Sequence, residues 1–104
     1  MFKKSSRYSF GKGVPRQKSV TPFYVLRFQK SEDPTYAVVV GKKVSKKATQ
    51  RNKVKRMFIS CLQEELKKIP NSYDLVFFLR LSYQEYQKSA IMDELSRLLV
   101  RLNA

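Results

Sequence analysis

The stretch Tyr73-Asp74-Leu75-Val76-Phe77-Phe78-Leu79 constrains the fold most, because it is apolar or aromatic at every position but Asp74. A nearly continuous apolar run of this length is expected of a strand that helices cover on one face and other strands border on both sides. It is therefore expected at the centre of a sheet. Upstream, Phe23-Tyr24-Val25-Leu26-Arg27-Phe28-Gln29 is rich in β-formers and runs into Lys30-Ser31-Glu32-Asp33-Pro34, whose composition suits a hairpin loop. Tyr36-Ala37-Val38-Val39-Val40 then reads as the returning strand, closed by Gly41.

Two helical patterns flank the central run. Val54, Phe58, Cys61, Leu62, Leu66 and Ile69 recur at helical spacing and predict a buried stripe, capped by Ser45 or Thr49 and stopped at Pro70-Asn71. Ser82-Tyr83-Gln84-Glu85 has capping-box spacing, and Ile91, Leu95, Leu98, Leu99 and Leu102 mark the apolar face of a C-terminal helix. Strands, helix, strand and helix in this order predict an α+β two-layer sandwich, a small sheet with helices on one face. The 104 residues suffice for one domain, residues 21–104. Residues 1–20, with Gly11, Gly13, Pro15, four Ser and six cations, read as a basic arm that is weakly ordered alone.

Cys61 is the single cysteine and lies among apolar residues. It reads as a buried structural thiol, which implies a reducing, cytosolic setting. The longest apolar stretches fall far short of the ~20 residues that a membrane span requires. Met1-Phe2-Lys3-Lys4 begins like a charged leader, but residues 5–12 are polar and basic where a signal peptide is apolar.

The run from Gly41 to Arg56 holds eight cations (Lys42, Lys43, Lys46, Lys47, Arg51, Lys53, Lys55 and Arg56) and no acidic residue. A solvated helical face normally mixes signs, because Glu and Lys three or four apart attract and like charges repel. A same-sign cluster makes physical sense where a polyanion neutralises it and releases condensed counterions. The whole chain has the same bias, 22 Lys+Arg against 8 Asp+Glu for a net charge of +14. Nucleic acid, and RNA in particular, is the leading partner class.

At ~100° per residue, Arg51, Asn52, Lys55, Arg56 and Ile59 fall within an arc of about 140° bordering the apolar stripe, and Lys53 points elsewhere. Burying the stripe would place the arc at the edge of the helical layer, within reach of a phosphate backbone. Arg offers a planar fork for phosphate, Lys a mobile point charge, and Asn a donor and acceptor for a 2′-hydroxyl or base edge.

Lys42-Lys43, seven residues, then Arg51-Asn52-x-Val54-Lys55-Arg56 resembles the signature of the protein family that serves bacterial ribonuclease P. The strand into Lys42, the amphipathic helix, the Ser72 to Arg80 strand and the Leu-rich last helix recur in the family's order across residues 21–102. The resemblance implies an α-β-β-β-α-β-α sandwich with a left-handed crossover. It also implies a subunit that grips the ribonuclease P RNA through the basic helix and holds the 5′ leader of precursor tRNA between sheet and N-terminal segment. Phosphodiester hydrolysis would belong to the RNA with its bound Mg2+. Residue by residue, Arg51, Asn52, Lys55 and Arg56 match the signature, and Lys42 and Lys43 match its Lys pair; Lys46, Lys47 and Lys53 extend the expected RNA contacts.

The chain departs from the family pattern at three places. Lys53 stands where Arg is common, and Ile59 where relatives often carry another Arg. Phe10-Gly11-Lys12-Gly13 resembles the family's Phe-x-x-Gly, yet only nine residues precede Phe10, so the N-terminal helix is expected to be short or absent. Phe10, Phe23, Tyr24 and Tyr36 are candidates for stacking on leader bases. For the last three, a place in the core is the competing reading, which depends on strand register.

An intrinsic enzyme is disfavoured. The chain has no His, and its acids are scattered as Glu32-Asp33, Glu64-Glu65, Asp74, Glu85 and Asp93-Glu94, whereas acid–base or metal chemistry needs convergent groups. The resemblance implies a subunit with ribonuclease P RNA and precursor tRNA as partners, expected in the cytoplasm. The sequence predicts no catalytic or metal-binding side chains, no required protein partner and no membrane. A structural RNA-binding protein of ribosomal type is the alternative, and cleavage of precursor tRNA discriminates the two.

Overall fold

Among the described residues a four-stranded sheet carries two helices on one face. The computed structural model describes Gly13 and residues 15–32, 34–68 and 73–102. In chain order these form β1 (Gln17–Val20), β2 (Tyr24–Lys30), β3 (Tyr36–Val39), α1 (Ala48–Lys68), β4 (Tyr73–Leu79), a 3-10 turn (Tyr83–Glu85) and α2 (Lys88–Leu102). The sheet order is β1-β2-β4-β3. β4 runs antiparallel to β2 and parallel to β3, so β3, α1 and β4 form a crossover unit.

The apolar run at residues 73–79 is central, as its continuity predicts. The expected hairpin between β2 and β3 is not formed, because β4 separates them. Asp74 shows why. Its Oδ2 accepts a hydrogen bond from Gln29 Nε2 on β2 at 2.9 Å, and its Oδ1 accepts from the Thr35 N–H at 2.9 Å and hydroxyl at 2.8 Å. The lone polar residue of the run thus ties β4 to both neighbours. The hairpin that does form joins β1 to β2, with Thr21 Oγ1 accepting the N–H groups of Phe23 and Tyr24 in the turn. Gln17-Lys18-Ser19-Val20 is too polar to read as a strand, so the folded domain begins before residue 21.

Side-chain alternation assigns the two faces. Tyr24 and Leu26 of β2, Tyr36 and Val38 of β3, and Leu75, Phe77 and Leu79 of β4 point to the helices and are buried with Val54, Phe58, Cys61 and Leu62 of α1 and Ile91, Leu95, Leu98 and Leu99 of α2. Tyr24, Phe58 and Phe77 form the aromatic centre of this core, with Tyr24 edge-on to Phe77 at 5.1 Å between centroids and Phe58 to Phe77 at 5.0 Å. Leu66 is half-buried, Glu65 is buried although the spacing did not single it out, and Ile69 lies outside the described residues.

The predicted caps shift. Ser45 precedes α1 and its hydroxyl oxygen accepts the Lys47 N–H at 3.1 Å, whereas Thr49 is already inside the helix. Ser82 does not cap α2. It opens the 3-10 turn without a side-chain bond, and α2 starts at Lys88. The turn swings Tyr86 into the core, where its hydroxyl accepts the N–H groups of Arg80 (2.8 Å) and Leu81 (2.9 Å) and donates to the Phe23 carbonyl. No described helix is long and apolar enough to cross a membrane.

Candidate nucleic-acid interface

The basic run of the sequence folds as a pinned loop followed by the first turns of α1. Val44 is buried in the core, its N–H donates to the Gly41 carbonyl at 3.1 Å, and its own carbonyl accepts the Tyr83 N–H at 2.8 Å. One buried side chain and two backbone bonds thus hold a loop whose Lys42, Lys43, Lys46 and Lys47 are all exposed. Ser45 Oγ donates to Gln50 Oε1 at 2.6 Å, and Arg51 Nη1 donates to the carbonyls of Ser45 and Lys46, both at 3.0 Å.

On α1, Asn52, Lys53, Lys55 and Arg56 are exposed and Arg51 is half-buried. Gln63 Nε2 donates to the Tyr36 hydroxyl at 2.9 Å, which turns the stripe Asn52, Arg56, Ile59, Gln63 toward edge strand β3. The cations therefore sit at the margin of the helical layer, the position their spacing predicts. Ile59 is half-buried against the core, so an apolar residue suits that site. Lys53 lies about 60° beyond the arc.

None of these eight cations meets a carboxylate: among the described residues the one ion pair joins Lys67 to Glu64 at 3.8 Å, near the other end of α1. The first turn of α1 holds no acid to offset the positive pole of the helix. Exposed lysines, Arg56 and the positive pole of the helix converge at one end, an arrangement suited to phosphate.

A second surface is the sheet face away from the helices, which no described helix covers. Cross-strand pairing lines up Val20, Val25, Phe78 and Val39 as an apolar row across all four strands. At its edges Val20 is 54% and Val39 36% exposed, whereas Val25 and Phe78 are half-buried and Val76, in the adjoining row, is fully buried. The next row holds Lys18 directly opposite Arg27, a like-charge pair that is unfavourable without an anion between its members. Arg27 Nη1 donates to the Arg16 carbonyl at 3.2 Å, which holds the guanidinium on the sheet. The row's β3 end, Val39, lies three residues before Lys42, so the two surfaces adjoin. Phe78 is the one ring in the row, and an aromatic ring beside cations is what unpaired nucleotides use.

Burial removes two leader candidates. Tyr24 and Tyr36 point into the core because each pairs in the helix-facing register, with Leu79 and Leu75 respectively. Phe23 is half-buried beside Tyr86, 6.4 Å between ring centroids, and Phe10 lies outside the described residues. Lys18, Val25, Arg27, Val39 and Phe78 were missed in the sequence. Phe78 stands beside Phe77 in the apolar run, but parity alone names no face without a register.

Cys61 takes no part in chemistry at this interface: burial pushes its thiol pKa up, with the Glu65 carboxylate adding to the effect and Lys88 opposing it. It stays a protonated core residue.

A family model described as Ribonuclease P matches residues 2–103. The chain is similar to the ribonuclease P protein component of Pseudoalteromonas translucida, 28% identical over 88 residues that cover 83% of this chain and 62% of that protein. It is also similar to the ribonuclease P protein component of Prochlorococcus marinus, 33% identical over 67 residues, 62% of this chain and 52% of that protein. The chain thus spans less than two thirds of the length of these relatives. Among solved structures, the RNase P protein from Thermotoga maritima superposes with a TM-score of 0.74 at 22% identity, covering 94% of this chain and 98% of that one, a likeness of fold.

Proposed function

The chain belongs to the bacterial ribonuclease P protein family, and on that premise we propose that it is the protein subunit of ribonuclease P, assisting endonucleolytic removal of the 5′ leader from precursor tRNA. It works in the cytoplasm with the ribonuclease P RNA and precursor tRNA as partners and requires no further protein. Phosphodiester hydrolysis belongs to the RNA and the Mg2+ it binds.

Within this reading, Lys42, Lys43, Lys46, Lys47, Arg51, Asn52, Lys53, Lys55 and Arg56 form the side that grips the catalytic RNA. The leader lies on the sheet face away from the helices, its bases against the Val20, Val25, Phe78 and Val39 row and its phosphates near Lys18 and Arg27. Phe10 remains a candidate for the same strand, with Phe23 at its margin. The observation that carries the proposal is the junction of a cationic loop and helix, which meet no carboxylate among the described residues, with a sheet face that no described helix covers and that carries a like-charge pair.

The test compares the affinity of the reconstituted holoenzyme for leader-bearing precursor and for mature tRNA. Wild type is expected to prefer the precursor by about tenfold, the worth of one or two stacked bases. Val39→Glu and Arg27→Glu are expected to erase that preference while leaving mature tRNA binding intact. Equal affinity of wild type for both RNAs, or an undiminished preference in both variants, would remove the leader from this face.

A further inference from the structure

Arg51 opens the signature of basic residues on α1, yet its geometry differs from that of its neighbours. Asn52, Lys55 and Arg56 are exposed, whereas Arg51 is half-buried and its Nη1 reaches back across the helix start to two carbonyls, Ser45 and Lys46. Its backbone N–H meanwhile donates to the Lys47 carbonyl at 3.1 Å, so three consecutive carbonyls of the lysine loop accept from this one residue. Toward its C-terminal end the loop is otherwise restrained through Ser45 Oγ, which receives the Lys47 N–H and donates to Gln50. Arg56, by contrast, makes a 3.4 Å hydrogen bond to the Asn52 carbonyl in its own helix.

Four lysines in six residues repel one another, and repulsion spreads a loop. Such a loop takes one shape only where its backbone is held, and a guanidinium is suited to the task because its fixed fork of donors bridges neighbouring carbonyls. We propose that Arg51 is a positioning residue: it sets the shape of the 41–47 loop so that Lys42, Lys43, Lys46 and Lys47 meet the RNA already arranged, and its own charge is not one of those that neutralise phosphate. The inference rests on the RNA-gripping role proposed above.

Two readouts separate positioning from direct binding. The first is the salt dependence of affinity for the ribonuclease P RNA of the source organism, because each phosphate that a variant no longer neutralises lowers the log–log slope by about 0.7 to 0.9. Arg56→Ala is expected to weaken binding and lower the slope by that amount. Arg51→Ala is expected to weaken binding about tenfold, the cost of ordering roughly one more loop residue on binding, with the slope unchanged. Arg51→Gln, neutral but able to donate to a carbonyl, is expected to recover part of the affinity.

The second readout needs no RNA. Amide exchange of the free protein at Val44, Lys47 and Tyr83 is expected to accelerate in Arg51→Ala and not in Arg56→Ala. A slope that falls in Arg51→Ala as it does in Arg56→Ala, or loop exchange that matches wild type, overturns the proposal. If wild type fails to bind that RNA, the ribonuclease P reading fails, while the exchange data still decide whether Arg51 holds the loop.

Discussion

Two buried tyrosine hydroxyls lie in opposite circumstances. That of Tyr86 accepts two N–H groups and donates to the Phe23 carbonyl, binding the end of β2 to the segment between β4 and α2. That of Tyr24 is fully buried and, among the described residues, makes no hydrogen bond of ordinary geometry, although the Glu94 carboxylate lies near it. Removing the first takes the acceptor from the Leu81 N–H and leaves the Arg80 N–H only the Phe23 carbonyl at 3.2 Å, so Tyr86→Phe is expected to cost about 1 to 3 kcal/mol in urea unfolding. Removing the second relieves a desolvated hydroxyl, so Tyr24→Phe is expected to be neutral or to stabilise by about 1 kcal/mol. Marked destabilisation in Tyr24→Phe would show that the hydroxyl has a partner. Burial raises the pKa of both phenols above the ordinary value, with the Glu94 carboxylate adding to the shift at Tyr24 and the N–H groups of Leu81 and Arg80 opposing it at Tyr86. Because the folded state then holds these protons longer than the unfolded chain, their contribution is complete below about pH 10 and declines as pH rises from there. Unfolding free energy followed from about pH 9 to 11 should therefore fall less steeply for Tyr24→Phe than for wild type. Neither role was legible in sequence: Tyr86 follows a stretch that advertises a helix cap, and Tyr24 stands among strand aromatics whose inward parity becomes visible only with the register.

The elements were legible where the pattern was long and one-sided. Val54, Phe58, Cys61 and Leu62 fixed the buried side of α1, and with it the arc of Asn52, Lys55 and Arg56, because one helical period determines both. The apolar run at β4 announced a central strand for the same reason, since only a strand with two neighbours buries it. What failed was the partner of each strand. A loop of turn-forming residues between two β-rich segments reads as a hairpin, and nothing local reports that a third strand, more than thirty residues downstream, intervenes. Asp74 is the residue that enforces the arrangement, which predicts that Asp74→Ala costs about 2 to 4 kcal/mol by removing three hydrogen bonds to Gln29 and Thr35. The same substitution is expected to leave the salt slope of RNA binding unchanged, since Asp74 lies outside the cationic loop and helix. An altered slope would mean that the strand order bears directly on the RNA grip.

At the scale of the whole molecule, charge and topology divide the labour. The sheet sends its β3 end into the lysine loop, the loop leads into the cationic turns of α1, and the face opposite the helices presents an apolar row with Lys18 and Arg27 beside it. If about six of the eight cations in the loop and helix meet phosphates, binding to the catalytic RNA should show a log–log salt slope of about −4 to −5. A shallow slope would assign the affinity to apolar packing instead. The measurement that bears most directly on the proposed function mixes the purified chain with ribonuclease P RNA and a precursor tRNA at limiting Mg2+ and follows leader release over time. The expected result is correctly placed cleavage that is faster than the RNA gives alone and absent with the chain alone. Tight RNA binding without any stimulation would contradict it and leave a structural RNA-binding protein in its place.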